Sequence, residues 1–182
     1  MSRPQLPEPV ATVAAELGGL PGVTAVALGG SRANATHRPD SDWDLGVYYR
    51  AALDPGDVRR LGHSGYVSEL GEWGPIMNGG AWLTVMETPI DVLFRDLDVV
   101  DRWRADAERG RFEVLVQNGY IVGAPTYVPV GELAIKPAAE RWYGRGGRVA
   151  DVRRAPRGGG RRHRLRRHAG RCRPVGCPRP AR

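Results

Sequence analysis

Two aspartates that alternate with large apolar residues, shortly after a pair of glycines, constrain this chain more than any other feature. Residues 24–28 form an apolar run that predicts a short buried strand, and Gly29-Gly30 ends it. A second strand is predicted over residues 42–49, with its apolar side chains on one face and Asp42 and Asp44 on the other. Carboxylates at this spacing, about 6–7 Å apart at their Cα atoms, can approach one cation or a pair of cations.

A third acid on a predicted strand extends this pattern. In residues 88–94, Ile90 and Val92 share one face and Asp91 lies on the opposite one. An aspartate in an apolar strand is costly to bury unless it is paired or bound to a metal. Taken alone, Asp91 is best interpreted as solvated or paired with an arginine. Because it follows the glycine turn and the acidic strand, we favour a site that all three acids share.

The turn between the first two strands predicts a phosphate site, because glycine and serine there present backbone N–H groups to an anion.

The acids that follow the turn also suggest a calcium loop, but that interpretation fails. Counted from Asp40, the sixth position holds Leu45 instead of glycine, and the twelfth holds Ala51 instead of an acid.

In order and spacing, these features resemble the signature of the polymerase-β-like nucleotidyltransferase superfamily. The likeness covers roughly residues 23–94: a Gly-Gly-Ser-Arg turn, then Ser-Asp-Trp-Asp-Leu, and later Asp91 between apolar neighbours. It is similar in particular to the bacterial branch that contains the aminoglycoside nucleotidyltransferases and the minimal nucleotidyltransferases.

This resemblance implies a transferase of phosphorus-containing groups that moves a nucleoside monophosphate, AMP from ATP, to an acceptor hydroxyl. It implies that two Mg²⁺ ions are held by the acids that also act in catalysis, namely Asp42, Asp44 and Asp91. The nucleoside triphosphate would be bound by Gly29, Gly30, Ser31 and Arg32. For Arg32 the alternative is a surface ion pair. The alternative function is that of a non-catalytic nucleotide-binding or antitoxin-like protein of the same fold.

The expected fold class is α/β (α+β), a small mixed or antiparallel sheet with packed helices, in a domain over residues 1–135. Helices are predicted at 9–20, 54–61 and 96–108, and a hairpin at 82–94. Residues 62–80 are predicted to form an irregular loop, in which plain packing is favoured over a substrate pocket for Trp73, Met77 and Asn78. Residues 112–120 continue the helix or form a last strand, residues 125–129 are extended, and a helix begins at 132–135.

Charge divides the chain into two unlike parts. Residues 151–182 hold 12 arginines, no lysine and one acid, whereas the rest of the chain is net acidic. Residues 136–182 are therefore predicted to be an irregular, disordered tail. As a genuine segment, this tail would bind RNA or another polyanion without sequence specificity. We favour the other interpretation, an out-of-frame product of GC-rich codons, which implies that a genuine C-terminal part is missing. The resemblance implies that this part is helical.

The tail also holds all the histidines and cysteines that suggest a zinc site, namely His163, His168, Cys172 and Cys177. Their spacing matches no common zinc finger, so we do not favour this site. No signal peptide or membrane-spanning run is recognisable in the sequence. The predicted location is therefore the cytoplasm, with no membrane partner.

Overall fold

The computed structural model describes residues 6–33, 36–117, 120–135 and 142–143. The helices are α1 (Glu8–Gly18), α2 (Gly30–Ala33), α3 (Pro55–Arg60), α4 (Leu97–Ala107) and α5 (Val128–Ile135). The strands are β1 (Val23–Leu28), β2 (Trp43–Tyr49), β3 (Ser64–Val67), β4 (Gly80–Val85), β5 (Thr88–Asp96), β6 (Val114–Gln117), β7 (Tyr120–Pro125) and β8 (Trp142–Tyr143). Within the predicted tail, residues 136–182, the structure describes only β8, which pairs with β1, so the prediction of an irregular tail is wrong at this strand. The rest of that segment, including the suggested zinc site, lies outside the described residues.

A mixed sheet of six strands, in the order β3-β4-β5-β2-β1-β8, forms the centre of the fold. The central pair, β2 and β5, is parallel, and every other neighbouring pair in this sheet is antiparallel. A separate pair joins β6 to β7. The predicted class, α/β with a small mixed sheet and packed helices, is confirmed.

Alternation along the strands buries both faces of the sheet. One face carries fully buried side chains such as Leu45, Val47, Ile90 and Val92, which belong to the cluster that α1 covers. On the other face, Tyr48 packs with small residues of β1 and with apolar residues of α4. Removing this apolar surface from water is the main force that holds the helices on the sheet.

Capping side chains set the start of two of the predicted helices. The side chain of Asp54 accepts a hydrogen bond from the N–H of Gly56 at 2.8 Å and caps α3, while Pro55 opens its first turn. The side chain of Asp96 caps α4 in the same way, by accepting from the N–H groups of Asp98 and Val99. Each helix therefore begins where its sequence satisfies the first N–H groups.

Several sequence predictions need correction. Residues 62–80 are not irregular throughout, because β3 forms within them and pairs with β4. Of the two alternatives for residues 112–120, the strand is observed, as β6. The segment 125–129 is not extended throughout, because α5 begins at Val128, earlier than predicted. Strand β3 escaped prediction because it is only four residues long and contains Gly65, a weak strand former.

Candidate active site

The parallel pairing of β2 with β5 places two of the predicted acids side by side. Asp44 and Asp91 are direct cross-strand partners, flanked in register by Trp43–Ile90 and Leu45–Val92. Registered residues in neighbouring strands point to the same face, so both carboxylates lie on the face opposite the cluster that contains Leu45 and Val92. The strand ends that carry them adjoin the end of β1, where the glycine turn follows.

The glycine turn packs directly against Asp44. Gly30 has φ of 61°, and a Cβ atom placed on it would lie 1.8 Å from the Oδ2 atom of Asp44. The N–H of Gly29 donates to the carbonyl oxygen of Asp44 at 2.7 Å, which continues the β1–β2 ladder by one bond. The prediction that the whole turn presents unused N–H groups is therefore wrong for Gly29.

Asp42 lies beside this pair and not on the strand itself. Strand β2 begins at Trp43, so Asp42 belongs to the preceding turn and is exposed. Arg32 holds that turn, since its Nε atom donates to the carbonyl oxygens of Ser41 at 3.0 Å and of Asp42 at 3.2 Å. The guanidinium also lies over the ring of Trp43, at 4.1 Å from its centroid. In this arrangement Arg32 orients the segment that carries Asp42.

Asp91 lies within the electrostatic influence of the other two predicted acids. Burial raises the pKa of the Asp91 carboxyl above its ordinary value, and the negative charges of Asp44 and then Asp42 raise it further. Each of these effects disfavours the ionised form. A bound cation would act in the opposite direction, because it favours carboxylates over carboxylic acids.

The carboxylates are near one another but are not drawn together into one tight cluster. Within the ranges that the structure describes, no group of three or more His, Cys, Asp or Glu side chains is arranged to hold a metal ion. Mutual repulsion among Asp42, Asp44 and Asp91 favours such a spread. Their chemistry nonetheless suits Mg²⁺, which prefers carboxylate oxygens and keeps several water ligands. Binding the ion would require these side chains to converge.

A cleft elsewhere on the molecule lies where α4 meets the β6–β7 pair. Arg102, Phe112 and Thr126 are among its lining residues. It contains none of the residues predicted from the sequence to act in catalysis or nucleotide binding. We therefore locate the candidate active site at the acidic end of β2 and β5.

Comparison with known proteins supports the family resemblance. Residues 10–75 match the family model of a nucleotidyltransferase domain, and this range includes the glycine turn, Asp42 and Asp44 but ends before Asp91. The resemblance predicted from the sequence is thereby confirmed. This match supports the prediction of a transferase of phosphorus-containing groups. No curated protein and no solved structure gave a significant match.

Sequence reasoning missed two neighbours of the acids. Trp82 on β4 is the direct cross-strand partner of Asp91, and Tyr66 on β3 is the partner of Trp82. The apolar alternation of Ala81, Leu83 and Val85 already placed Trp82 on the opposite face, together with Asp91 if the two strands form a hairpin. Nothing in the sequence identified the partner of Tyr66, because β3 itself was not predicted.

The fit between Gly30 and Asp44 leads to a prediction. Replacing Gly30 by alanine should cost about 1–2 kcal/mol through its positive φ, and should also push the Asp44 carboxylate out of place. Gly62→Ala is the matched control, since Gly62 has φ of 81° and nothing within 4 Å of the added methyl group. Urea unfolding should show a loss for both variants, larger for Gly30→Ala because of the contact with Asp44, but only Gly30→Ala should lose Mg²⁺–ATP binding. Equal ATP binding by both variants would contradict the predicted role of this contact.

Proposed function

We propose that the chain transfers a nucleoside monophosphate, AMP from ATP, to an acceptor hydroxyl with the help of two Mg²⁺ ions. The observation that carries this proposal is the pairing of Asp44 with Asp91 in adjacent parallel strands, with the glycine turn against Asp44. An arrangement with two neighbouring carboxylates is costly in the absence of a cation, and a protein that bound a nucleotide without a metal ion would gain nothing from it. We therefore favour the enzyme over a non-catalytic binding protein of the same fold.

The reaction forms one bond and breaks one bond at the α-phosphorus. The acceptor oxygen bonds to this phosphorus, the bond to the oxygen bridging the α- and β-phosphates breaks, and pyrophosphate leaves. Mg²⁺ bound by Asp42, Asp44 and Asp91 would neutralise the charge that develops on the phosphate oxygens. Asp91 is also assigned to accept the proton of the acceptor hydroxyl, because its carboxylate lies directly beside Asp44 in the neighbouring strand.

The nucleotide's phosphates are assigned to the turn after β1. Gly30 allows the backbone to come close to Asp44, and Ser31 follows it at the start of α2. Gly29 contributes by the shape of the turn, since its N–H is engaged in the sheet. Arg32 is assigned mainly to positioning Asp42, and its charge also favours a polyphosphate nearby.

The finer assignments of compartment and partners also belong to this proposal. No helix within the described ranges is long and apolar enough to cross a membrane. We propose the cytoplasm as the compartment, with a nucleoside triphosphate as the donor and a separate molecule as the acceptor. Residues 1–135 are proposed as the catalytic domain, to whose sheet β8 adds an edge strand. The rest of residues 136–182 is proposed as a tail that, if genuine, contacts polyanions.

Thermal unfolding gives a direct test. Mg²⁺ and ATP together should raise the melting temperature of the wild type, because a ligand at 100 times its Kd stabilises the folded state by about 2.7 kcal/mol. Asp44→Asn should remove most of this rise. Asp54→Asn should keep it, because Asp54 caps α3 far from the turn and asparagine is an equally good cap.

A labelling experiment tests the transfer itself. Each α-labelled NTP is incubated with Mg²⁺, the protein and a lysate as the source of acceptors, and the labelled product is identified. Label should appear on an acceptor with wild type and with Asp54→Asn, but not with Asp44→Asn. If the wild type neither binds Mg²⁺–ATP nor transfers label, the proposed function is wrong.

A further inference from the structure

Four side chains form a row across one face of the sheet. Strand pairing aligns Tyr66 with Trp82, Trp82 with Asp91, and Asp91 with Asp44. Registered residues of neighbouring strands project to the same side, so the row runs from two aromatic rings to two carboxylates. The bond from the N–H of Gly29 to the carbonyl of Asp44 extends the row to the glycine turn.

The aromatic end of this row presents a large apolar surface to solvent. Trp82 is 54% exposed and Tyr66 is 43% exposed. Trp73 stacks on Trp82 with ring centroids 4.8 Å apart, and the rings of Tyr66 and Trp82 lie 5.6 Å apart. We call Tyr66, Trp73 and Trp82 the ring cluster. Single exposed apolar residues are ordinary, but two exposed rings backed by the half-buried ring of Trp73, next to the candidate active site, indicate a binding surface.

The ring cluster is held in place by the residues around it. The ring of Trp73 lies against Gly80, where an added Cβ would come within 2.7 Å of the ring atom Cζ3. The hydroxyl of Tyr66 donates to the carboxylate of Glu72. The buried guanidinium of Arg95 donates to the carbonyl oxygens of residues 76 and 77 in the loop that carries Trp73. A surface fixed in this way loses little conformational entropy when a ligand binds.

The chemistry of the reaction assigns the ring cluster to one substrate. In phosphoryl transfer the attacking and leaving oxygens lie roughly in line on opposite sides of the phosphorus. With pyrophosphate held at the glycine turn, the acceptor has to approach from the side of Asp91 that faces away from the turn. Trp82 occupies that side, one strand spacing of about 4.8 Å from Asp91 and two from Asp44.

We infer that the ring cluster binds the acceptor, and that the acceptor carries its reactive hydroxyl next to a flat, stackable ring. This inference rests on the proposed function, because it takes the direction of attack from the transfer reaction. Stacking on Trp82 places the ring beside Asp91, where the proton of the neighbouring hydroxyl has a base to receive it. A ring of this kind is the substrate class to which the exposed indole is complementary.

Two glucosides that differ only in an aromatic ring provide the probes. Dissociation constants of phenyl β-D-glucopyranoside and methyl β-D-glucopyranoside are measured by NMR titration of the full chain. The wild type should bind the phenyl compound about fivefold more tightly, as expected for one additional aromatic contact. Trp82→Ala should abolish this preference, and Trp82→Phe should retain most of it. Trp82 is half-exposed, so its replacement should leave the fold intact, which the melting temperature will show.

Phe112→Ala is the matched control. Phe112 is also exposed, at 57%, and packs edge-on against Tyr127 away from the row. It should leave the preference for the phenyl compound unchanged. The inference is overturned if the wild type binds both glucosides equally, or if Trp82→Ala keeps the preference.

Mg²⁺–ATP binding, measured on the same samples, separates this inference from the proposed function. The affinity for Mg²⁺–ATP should be the same in the wild type and in Trp82→Ala. A weaker affinity in the variant would show that Trp82 stacks on the nucleobase of the donor, which overturns the assignment to the acceptor. Absence of Mg²⁺–ATP binding by the wild type would instead overturn the proposed function, whatever the glucosides show.

Discussion

Replacing Asp91 by asparagine should stop nucleotidyl transfer and yet leave the metal-free protein at least as stable as the wild type at neutral pH. The loss of transfer should be about 10³-fold or more, because the variant lacks both a cation ligand and the proposed base. Stability should be kept because the carboxylate of Asp91 is partly buried beside Asp44 and within the influence of Asp42. Asparagine has the same shape without the charge that burial and repulsion disfavour.

The pH dependence of this effect follows from the direction of the pKa shift. The pKa of Asp91 is raised in the folded state, so the folded protein holds this proton more tightly than the unfolded chain. Asp91 therefore adds to the free energy of unfolding while it is protonated. This contribution is complete below the ordinary carboxyl pKa of 3.8 and is lost as pH rises through the raised pKa. The stability of Asp91→Asn relative to wild type should therefore be lowest in acid and reach a plateau towards neutral pH.

Urea unfolding of metal-free protein at several pH values measures the stability difference, and labelled-nucleotide transfer measures activity. Asp40→Asn is the control, because Asp40 is an exposed acid in the nearby turn that is not assigned to the site. It should change neither the pH profile nor the activity by much. If metal-free Asp91→Asn unfolds well below wild type at neutral pH, Asp91 is a structural partner and the shared acidic site is wrong.

The part of the site that depends on local alternation was predictable from the sequence. Asp44 alternates with Leu45, and Asp91 alternates with Ile90 and Val92, so each carboxylate had to lie opposite the apolar face of its strand. The glycine pair likewise marked the end of β1. These signals involve residues next to one another in the chain, where steric and burial effects act directly.

The long-range part of the site was not predictable in the same way. That β2 and β5 are adjacent, parallel and in register at Asp44 and Asp91 depends on pairing between segments about 47 residues apart. Alternation alone is equally consistent with other pairings, and the family resemblance supplied the expectation that the two acids meet. Strand β3 shows the same limit, since its four residues form a strand by pairing with β4 and carry no strand pattern of their own.

The contacts of Arg95 could also not be predicted from the sequence, because its partners lie on other elements. Arg95 is only 3% exposed, and its Nε and Nη2 atoms donate to the carboxylate of Glu132 on α5 at 3.1–3.2 Å. Its Nη1 atom donates to the carbonyl oxygens of Ile76 and Met77. In the sequence, Arg95 resembles an ordinary charged residue at the end of a strand, and no local pattern connects it to Glu132.

Removing this arginine should destabilise the fold more than removing any of the acids assigned to the site. Arg95→Ala takes the guanidinium away from the carboxylate of Glu132 and from two carbonyl oxygens, and breaking a buried pair in this way costs about 3–5 kcal/mol. We expect the lower end of that range, because the Glu132 side chain is 32% exposed and water can solvate part of its charge. Arg104→Ala is the control, since Arg104 forms an exposed ion pair with Asp101 and should cost less than about 1 kcal/mol.

A double variant can show whether the loss of stability on removing Arg95 comes from the carboxylate of Glu132, which is then left without its arginine. If it does, Arg95→Met combined with Glu132→Leu should be more stable than Arg95→Met alone, because the double variant buries apolar groups and no longer holds that carboxylate. Urea unfolding of both single variants and the double variant measures this coupling.

In the double variant the carbonyl oxygens of Ile76 and Met77 have still lost the guanidinium, so the loop that carries Trp73 should remain loosened. Recovery of stability without recovery of the preference for the phenyl glucoside would therefore assign Arg95 two separable roles. If the free energy of unfolding of Arg95→Ala lies within about 1 kcal/mol of the wild-type value, Arg95 neither stabilises the fold through Glu132 nor holds the loop that carries Trp73.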